Sequence, residues 1–346
     1  MRNREISMVN VALCLLVMWI HICSVAITGL QKDSGAYFAV YLPWRLSAFV
    51  VQGFLFLSAL KFFRNMEQKP FAYGRFLWGR WKKIGIPYLI AVVISYLGLI
   101  HLGYYVWDTP FLLRSILLGN MIAPFYFVII IFQFYLLMPI WRWMVRHVDI
   151  WVAAVVSVLL MRLFHEGLPA MIALVSPDTS FAYNDRVFTS YLAYWVLGCY
   201  AGTYYEEFLQ SLQRNKGVLL AGFLLFLVAD GLLSYANSSG FIQVSFLEDI
   251  HTLYVCSAIV AWMLLAQRVA QRVMQWRVLQ EIDRLSFYLY LYHGILLYYI
   301  QDAVLTPLGI GDLGIGLLVR AAGCYGAAML AGWASWLWQK RKEQAA

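Results

Sequence analysis

Apolar runs long enough to cross a lipid bilayer recur from one end of this chain to the other. Inside a bilayer every backbone polar group must be hydrogen-bonded within the protein, so such runs fold as helices of about 20 residues. The 346 residues are 62% hydrophobic and only 13% charged, and that charged fraction is about half of the value for soluble domains. The chain is therefore predicted to be an all-α polytopic membrane protein with a single transmembrane domain, 1–346.

Ten transmembrane helices are predicted from the apolar runs. They cover residues 7–28, 43–63, 84–102, 124–145, 150–165, 188–206, 217–235, 250–268, 286–303 and 313–338. Two shorter amphipathic segments, 70–83 and 110–119, are predicted to lie along the membrane interface instead of crossing it.

The positions of lysine and arginine predict the orientation of these spans. With the N-terminus in the cytoplasm, all but six of the 26 basic residues fall at cytoplasmic ends, as the positive-inside rule requires. The exceptions are Lys32, Arg45, Arg114, Arg162, Arg186 and Arg320. Ten spans place both termini in the cytoplasm. The net charge of +8 is thus explained by topology in the cell membrane, and membrane lipids, not nucleic acid, are the predicted partner.

The first span carries a polar stripe on one helical face. Its members recur every three or four residues: Ser7, Asn10, Cys14, Val17, His21, Ser24 and Thr28. An ionisable residue inside a span is a candidate functional residue, and a neutral imidazole suits the general base of an acyl transfer. His21 is therefore the leading catalytic candidate. The alternative is a histidine that only hydrogen-bonds to a neighbouring helix, and spacing alone does not decide between them.

Four more polar residues inside the spans are candidates for acceptor binding or for structure. Arg45 and Gln52 share a face of the second span, where Arg45 either meets a buried anion or extends to the outer headgroups. Gln52 lies deeper and is predicted to line the interior. Gln133 in the fourth span is another interior candidate. His293 in the ninth span, seven residues after Ser286, is the second histidine within a span.

A basic cluster precedes the third span. Arg75, Arg80, Lys82 and Lys83 are placed to hold the phosphates of a nucleotide-bearing donor. Contact with lipid headgroups is the simpler explanation of such a cluster. The chain has no metal-ligand spacing and no phosphate-binding glycine loop, so no metal and no bound cofactor are predicted.

Several segments together resemble acyltransferase family 3, the bacterial integral-membrane O-acyltransferases. REISMVNVALCLLVMWIH resembles the opening helix of that family and ends at His21. VQGFLFLSAL resembles the second-helix motif, with Ser58-Ala59 where the family usually has Ser-Gly. GRWKKIGIPY resembles the basic motif and matches it at Arg80 and Lys83. FQFYLLMP and SFYLYLYHG resemble the fourth- and ninth-helix signatures.

The resemblance implies a reaction and a functional histidine. It implies transfer of an acyl group, often acetyl, from cytoplasmic acyl-CoA as a co-substrate to a hydroxyl of an envelope sugar, polysaccharide or lipid-linked glycan, with His21 as the functional histidine. Many members carry Arg or Lys eleven positions before it, where this chain has Asn10. An amide can hydrogen-bond the donor but cannot neutralise phosphate. Asn10, Arg75, Arg80 and Lys83 are therefore the predicted donor-binding residues.

Two other classes of function remain open at this point. A polytopic transporter or flippase for a small polar or lipid-linked solute would use the deep histidines and the polar stripe equally well. The near absence of carboxylates deep in the spans weighs against a proton-coupled transporter. A non-catalytic scaffold or sensor is the third reading, for which no sequence feature argues. The sequence is also compatible with a homo-oligomer.

Overall fold

In the computed structural model, residues 3–66, 71–175 and 183–345 are described, and they fold into helices. Arg2 and Lys69, two of the predicted cytoplasmic charges, lie outside these ranges. The helices are α1 (Arg4–Gly29), α2 (Gly35–Leu46), α3 (Val50–Phe63), α4 (Tyr73–Arg80), α5 (Ile86–His101), α6 (Thr109–Leu118), α7 (Tyr126–Leu136), α8 (Met138–His147), α9 (Ile150–Val175), α10 (Leu192–Thr203), α11 (Tyr205–Arg214), α12 (Lys216–Ser238), α13 (Leu247–Val273), α14 (Arg277–Ile300) and α15 (Leu313–Ala345).

The structure confirms the all-α polytopic class. Among the described residues, seven helices are long and apolar enough to cross a membrane, or eight if the bent pair Thr109–Leu118 and Ala123–Leu136 counts as one span. The seven are Arg4–Gly29, Gly35–Phe63, Tyr73–His101, Ile150–Val175, Lys216–Ser238, Leu247–Val273 and Leu313–Trp338.

Three predicted spans do not reach this standard as single helices. The run 124–145 is divided at Leu137 between α7 and α8. The run 188–206 contains only the 12 helical residues of α10 after a short 3-10 turn. The run 286–303 belongs to α14, whose first two turns are rich in charge, with Arg277, Glu281, Asp283 and Arg284. The count of ten and the cytoplasmic location of both termini stay predictions.

The segment 70–83 is not a separate interfacial helix. Residues Tyr73–His101 form one 29-residue helix, because a π-helical turn at Trp81–Gly85 joins α4 to α5 without a break. Gly85 permits this turn, since a Cβ at that position would collide with the Trp81 ring. The basic cluster therefore occupies the first turns of a long helix.

The predicted topology can be tested with reporter fusions. A fusion at Glu248 and a fusion at the C-terminus are expected to report opposite sides of the membrane. The distribution of lysine and arginine places the C-terminus in the cytoplasm and Glu248 outside. Paired alkaline phosphatase and green fluorescent protein reporters at each position would measure this. The same side for both positions would contradict the ten-span topology.

The helices divide into two compact units, which are described separately. Unit 1 comprises Met1–Val51, His101–Tyr104 and Gln210–Ala346, and unit 2 comprises Gln52–Ile100 and Tyr105–Leu209. In unit 1, α1 packs against α2, α13, α14 and α15. Helices α1 and α14 run parallel, because α1 meets α14 at Asp283 near their beginnings and at His293 further along.

In unit 2, two glycines let α10 approach α3 closely. A Cβ at Gly198 would meet the main chain of Phe56 and would lie 2.9 Å from the Cβ of Ala59. A Cβ at Gly202 would lie 2.9 Å from the Cα of Leu60. This small-x-x-x-small spacing is a common solution for close helix packing in membranes. The sequence resembles a motif that usually has glycine at position 59, and the methyl of Ala59 fits here because its neighbour on α10 is a glycine.

Candidate active site

The parallel helices α1 and α14 bring two histidines together. The ring centroids of His21 and His293 lie 5.2 Å apart, with their planes tilted by 46°. His293 is buried and His21 is half-buried. The sequence indicated each of them as a separate candidate, and the structure shows that they are neighbours.

The hydrogen bonds of His293 define which of its nitrogens has a lone pair. Its Nδ1 lies 2.7 Å from the carbonyl oxygen of Tyr290 and 3.2 Å from that of Leu289. A carbonyl oxygen can only accept, so Nδ1 carries the proton, and Nε2 of the neutral ring has a free lone pair. Within the described part of the chain, the buried Nε2 has no hydrogen-bond partner.

The His21 ring is hydrogen-bonded to none of the described residues. The polar stripe of α1 was expected to face the interior along its whole length, and it does so only up to His21: Ser7, Asn10, Cys14 and Val17 are buried, but Ser24 and Thr28 are exposed. Ser24 Oγ donates to the His21 carbonyl oxygen at 2.7 Å, and Thr28 Oγ1 donates to the Ser24 carbonyl oxygen at 3.1 Å. Hydroxyls satisfied by their own helix need no neighbouring helix.

At the other end of the stripe, Asp283 of α14 is held by two neutral donors from α1. Ser7 Oγ and Asn10 Nδ2 each donate to its carboxylate at 2.8 Å. Asn10 Nδ2 also donates to Ser286 Oγ at 2.9 Å. Both amide hydrogens of Asn10 are therefore used within the protein. Donor binding through Asn10 stays a prediction, and a hydrogen bond from its amide to the donor would require breaking one of these contacts.

The sequence alone did not identify Asp283 as a site residue. The ninth span was predicted to begin at Ser286, which left Asp283 in the cytoplasmic loop. A signal was nevertheless present, because Asp283, Ser286, Tyr290 and His293 follow one another at intervals of three or four residues. Extending the span by one helical turn would have placed the carboxylate on the face that carries His293.

A cavity of about 470 Å³ adjoins the histidine pair. It lies between α1, α14 and α15, with His293 and Met18 on its wall and a row of alanines on α15 opposite: Ala327, Ala328 and Ala331. Its surface is almost entirely apolar.

A buried charge cluster connects α2, α12 and α13 elsewhere in unit 1. Arg45 binds Asp230 through two hydrogen bonds, at 3.1 Å from Nε and 2.8 Å from Nη2. His251 Nδ1 lies 3.2 Å from both carboxylate oxygens. Arg45 therefore meets a buried anion, and the alternative that it extends to the headgroups is wrong. The sequence gave no role to His251.

The basic cluster of unit 2 combines one oriented arginine with exposed charges. The Arg80 guanidinium lies over the rings of Phe76 and Tyr135, at 5.1 Å and 5.2 Å from their centroids. Arg75 and Lys83 are exposed. These three side chains are free to meet a solvent-borne anion, and the aromatic contacts hold the Arg80 side chain in one place.

The remaining polar candidates lie in unit 2. Gln133 Nε2 donates to the Arg186 carbonyl oxygen at 2.7 Å, and its Oε1 accepts from the Phe188 amide at 2.9 Å. These two hydrogen bonds tie α7 to the segment before α10. Gln52 has a buried Oε1 with no partner among the described residues. Ser58 is half-buried on α3.

Comparison with known proteins decides the class of chemistry. The family model for the acyltransferase domain of acyltransferase family 3 matches residues 5–337. The chain belongs to the acyltransferase 3 family. It is also similar to YfiQ of Bacillus subtilis (strain 168), to which a membrane-bound acyltransferase activity is attributed, with 28% identity over 309 residues that cover 85% of this chain and 81% of YfiQ. No solved structure matches the chain.

Family membership makes the chain a multi-pass, membrane-bound acyltransferase enzyme. It favours the enzyme over the transporter or flippase and over the scaffold or sensor. The histidine that the resemblance implies to be functional, His21, lies on α1. A second histidine, His293 of α14, lies beside it.

Proposed function

We propose that this acyltransferase moves an acyl group from cytoplasmic acyl-CoA to a hydroxyl of an envelope sugar, polysaccharide or lipid-linked glycan, with His21 as the general base. The observation that carries this proposal is the histidine pair within an acyltransferase 3 chain. A base must have a nitrogen lone pair within reach of the reacting hydroxyl.

Three histidines of unit 1 lie within helices and are buried or half-buried, whereas His101 at the end of α5 is exposed. These three differ in how far they are already bonded. His251 is hydrogen-bonded to the Asp230 carboxylate. The Nδ1–H of His293 donates a hydrogen bond to the Tyr290 carbonyl oxygen. The His21 ring has no hydrogen bond within the described residues and is half-buried, so a substrate can reach it. This contrast with His251 and His293 favours His21 as the base.

The proposed step balances with these residues alone. The acceptor oxygen forms a bond to the thioester carbonyl carbon while its proton moves to the His21 imidazole. The carbon–sulfur bond then breaks, and the leaving thiolate of CoA takes the proton from the imidazolium. His293 Nε2, whose lone pair is free, is placed to accept a hydrogen bond from an N–H of protonated His21.

The donor phosphates are assigned to Arg75, Arg80 and Lys83. A nucleotide phosphate needs cations or several N–H donors, and Asn10 already uses both amide hydrogens on Asp283 and Ser286. Arginine at position 80 suits a phosphate because its planar guanidinium donates two parallel hydrogen bonds.

Purified protein in lipid nanodiscs provides the direct test of the reaction. With acetyl-CoA and an envelope glycan extract, the enzyme is expected to release free CoA thiol and to form base-labile acyl esters on the glycan. Mass spectrometry of envelope glycans from cells with and without the gene would identify the acceptor. Unchanged glycan acylation together with no thiol release would contradict the proposed reaction.

Removing two charges from the basic cluster should weaken donor binding. The Arg80→Gln/Lys83→Gln variant is expected to bind acetyl-CoA about 10- to 100-fold more weakly, since a hydrogen bond to a charged group contributes roughly 1.5–3 kcal/mol and exposure reduces that value. The difference should shrink at high salt. Isothermal titration calorimetry at two salt concentrations would measure it.

The matched control for this prediction removes two other exposed charges that are predicted to be cytoplasmic. Arg214→Gln/Lys216→Gln lowers the net charge equally and alters exposed side chains of unit 1. It should leave the affinity for acetyl-CoA unchanged. Equal affinities of the wild type and both double variants for acetyl-CoA would contradict donor binding by the basic cluster and would leave it a role in membrane topology only.

A further inference from the structure

The cavity beside the histidine pair is elongated and apolar. Its wall on α14 extends from Leu285 to Tyr299, which corresponds to at most about 21 Å along the helix axis. Its volume of about 470 Å³ is typical of a small-molecule site.

The chemistry of the wall excludes the polar parts of both substrates. The surface of the cavity is almost entirely apolar, and a hydroxyl buried without a partner loses roughly 2–7 kcal/mol. The phosphates of CoA and the hydroxyls of a glycan therefore belong elsewhere. The hydrocarbon tail of the acyl group is the part of the donor that gains by entering.

Small side chains on α15 keep the cavity open. Ala327, Ala328 and Ala331 line it at a spacing that places them on one helical face. Larger residues at these positions would fill the space, as Met18 does from α1. A chain that needed only a tightly packed helix interface would be expected to carry larger side chains here.

The position of His293 connects this cavity to the reacting atoms. Its ring forms part of the cavity wall and lies 5.2 Å from the His21 ring. His293 lies partway along this wall. A carbonyl group held beside the histidine pair would leave about 12 Å of the wall toward Leu285, or about 9 Å toward Tyr299, for the tail. The buried Nε2 of His293 has no protein partner among the described residues.

We propose that this cavity binds the hydrocarbon tail of the acyl donor, so that the enzyme selects acyl groups longer than acetyl. The inference rests on the proposed function and names its substrate class. The reaction is unchanged: the carbonyl carbon passes from the sulfur of CoA to the acceptor oxygen, and its tail remains in the cavity during the transfer.

Affinity across a series of acyl-CoA molecules tests the proposal. Acetyl-, butyryl-, hexanoyl- and octanoyl-CoA would be titrated into the full-length protein in lipid nanodiscs, with empty nanodiscs as a blank for partition into lipid. Binding to the wild-type protein is expected to tighten roughly fourfold for each added methylene, as for transfer of a methylene out of water.

Two variants with opposite effects on the cavity separate specific binding from general hydrophobicity. Ala327→Phe fills the cavity and should abolish the gain beyond the shortest chains while retaining affinity for acetyl-CoA. Leu296→Ala enlarges it and should extend the gain toward octanoyl-CoA. Ala322→Phe, on an exposed face of α15 outside the cavity, is the matched control and should follow the wild-type series.

The outcomes distinguish this inference from the proposed function. Binding of acetyl-CoA with no gain for longer chains, or the same gain in Ala327→Phe as in Ala322→Phe, would overturn the tail-binding role and leave acetyl transfer intact. Failure of CoA and every acyl-CoA to bind would instead overturn the proposed donor, and this inference with it.

Discussion

Replacing His21 with glutamine is expected to lower the turnover number by roughly 10²- to 10⁴-fold, the usual contribution of a positioned base. Glutamine retains hydrogen bonding but cannot accept a proton at neutral pH. His21→Ala should be equally inactive. Release of CoA thiol by purified protein measures turnover, and titration with acetyl-CoA shows whether the variant still binds its donor.

A control for this result comes from the same unit. His251→Gln alters a histidine that is occupied by Asp230, so it should keep turnover within a few-fold of wild type. If His21→Gln turned over normally, His21 would not be the base, and His293, with its free Nε2 lone pair, would become the candidate. If His21→Gln lost donor binding as well, its effect would be structural.

Breaking the Arg45–Asp230 pair is expected to lower the free energy of unfolding by about 3–5 kcal/mol, because it leaves a buried carboxylate without its charged partner. Arg45→Met makes this change while preserving much of the side-chain volume. The double variant Arg45→Met/Asp230→Leu should recover most of the loss, since apolar replacement of a whole buried pair is often neutral. Unfolding in mixed micelles, followed by tryptophan fluorescence, would measure each value.

The chain provides an exposed ion pair as a comparison. Arg162 and Glu166 lie 3.7 Å apart on α9, with both side chains largely exposed. Arg162→Met should therefore change the free energy of unfolding by less than about 1 kcal/mol. Similar losses from Arg45→Met and Arg162→Met, or a double variant no more stable than Arg45→Met alone, would contradict the importance of the buried pair.

The sequence predicted features that depend on local composition and missed those that depend on distant pairing. Apolar runs predicted the membrane class, and the periodicity of polar residues indicated His21 as a candidate site residue. Both signals lie within one helix. The partner of Arg45 lies 185 positions away along the chain, so two fates stayed open for this residue until the structure showed the contact. The proximity of His21 and His293 was hidden for the same reason.

Span boundaries were the other weak point, again for a physical reason. Residues 70–83 are charged and amphipathic, which suggested an interfacial piece, but a π-turn keeps the helix continuous into α5. The charged start of α14 suggested a loop, yet Asp283 is buried there because Ser7 and Asn10 supply hydrogen bonds. Composition cannot show that a carboxylate has found donors on another helix.

Because α1 and α14 pack in parallel, Asn10, eleven residues before His21, also affects how the two helices are aligned. From Asn10 to His21 is about 16 Å along α1, and from Asp283 to His293 is about 15 Å along α14, so the two helices are pinned at matching heights. The Asn10–Asp283 contact thereby fixes the rotational register of α1, since each residue of slip would turn the imidazole by about 100°. Asn10 therefore aligns the two helices, and through them it sets the position of the His21 imidazole relative to His293.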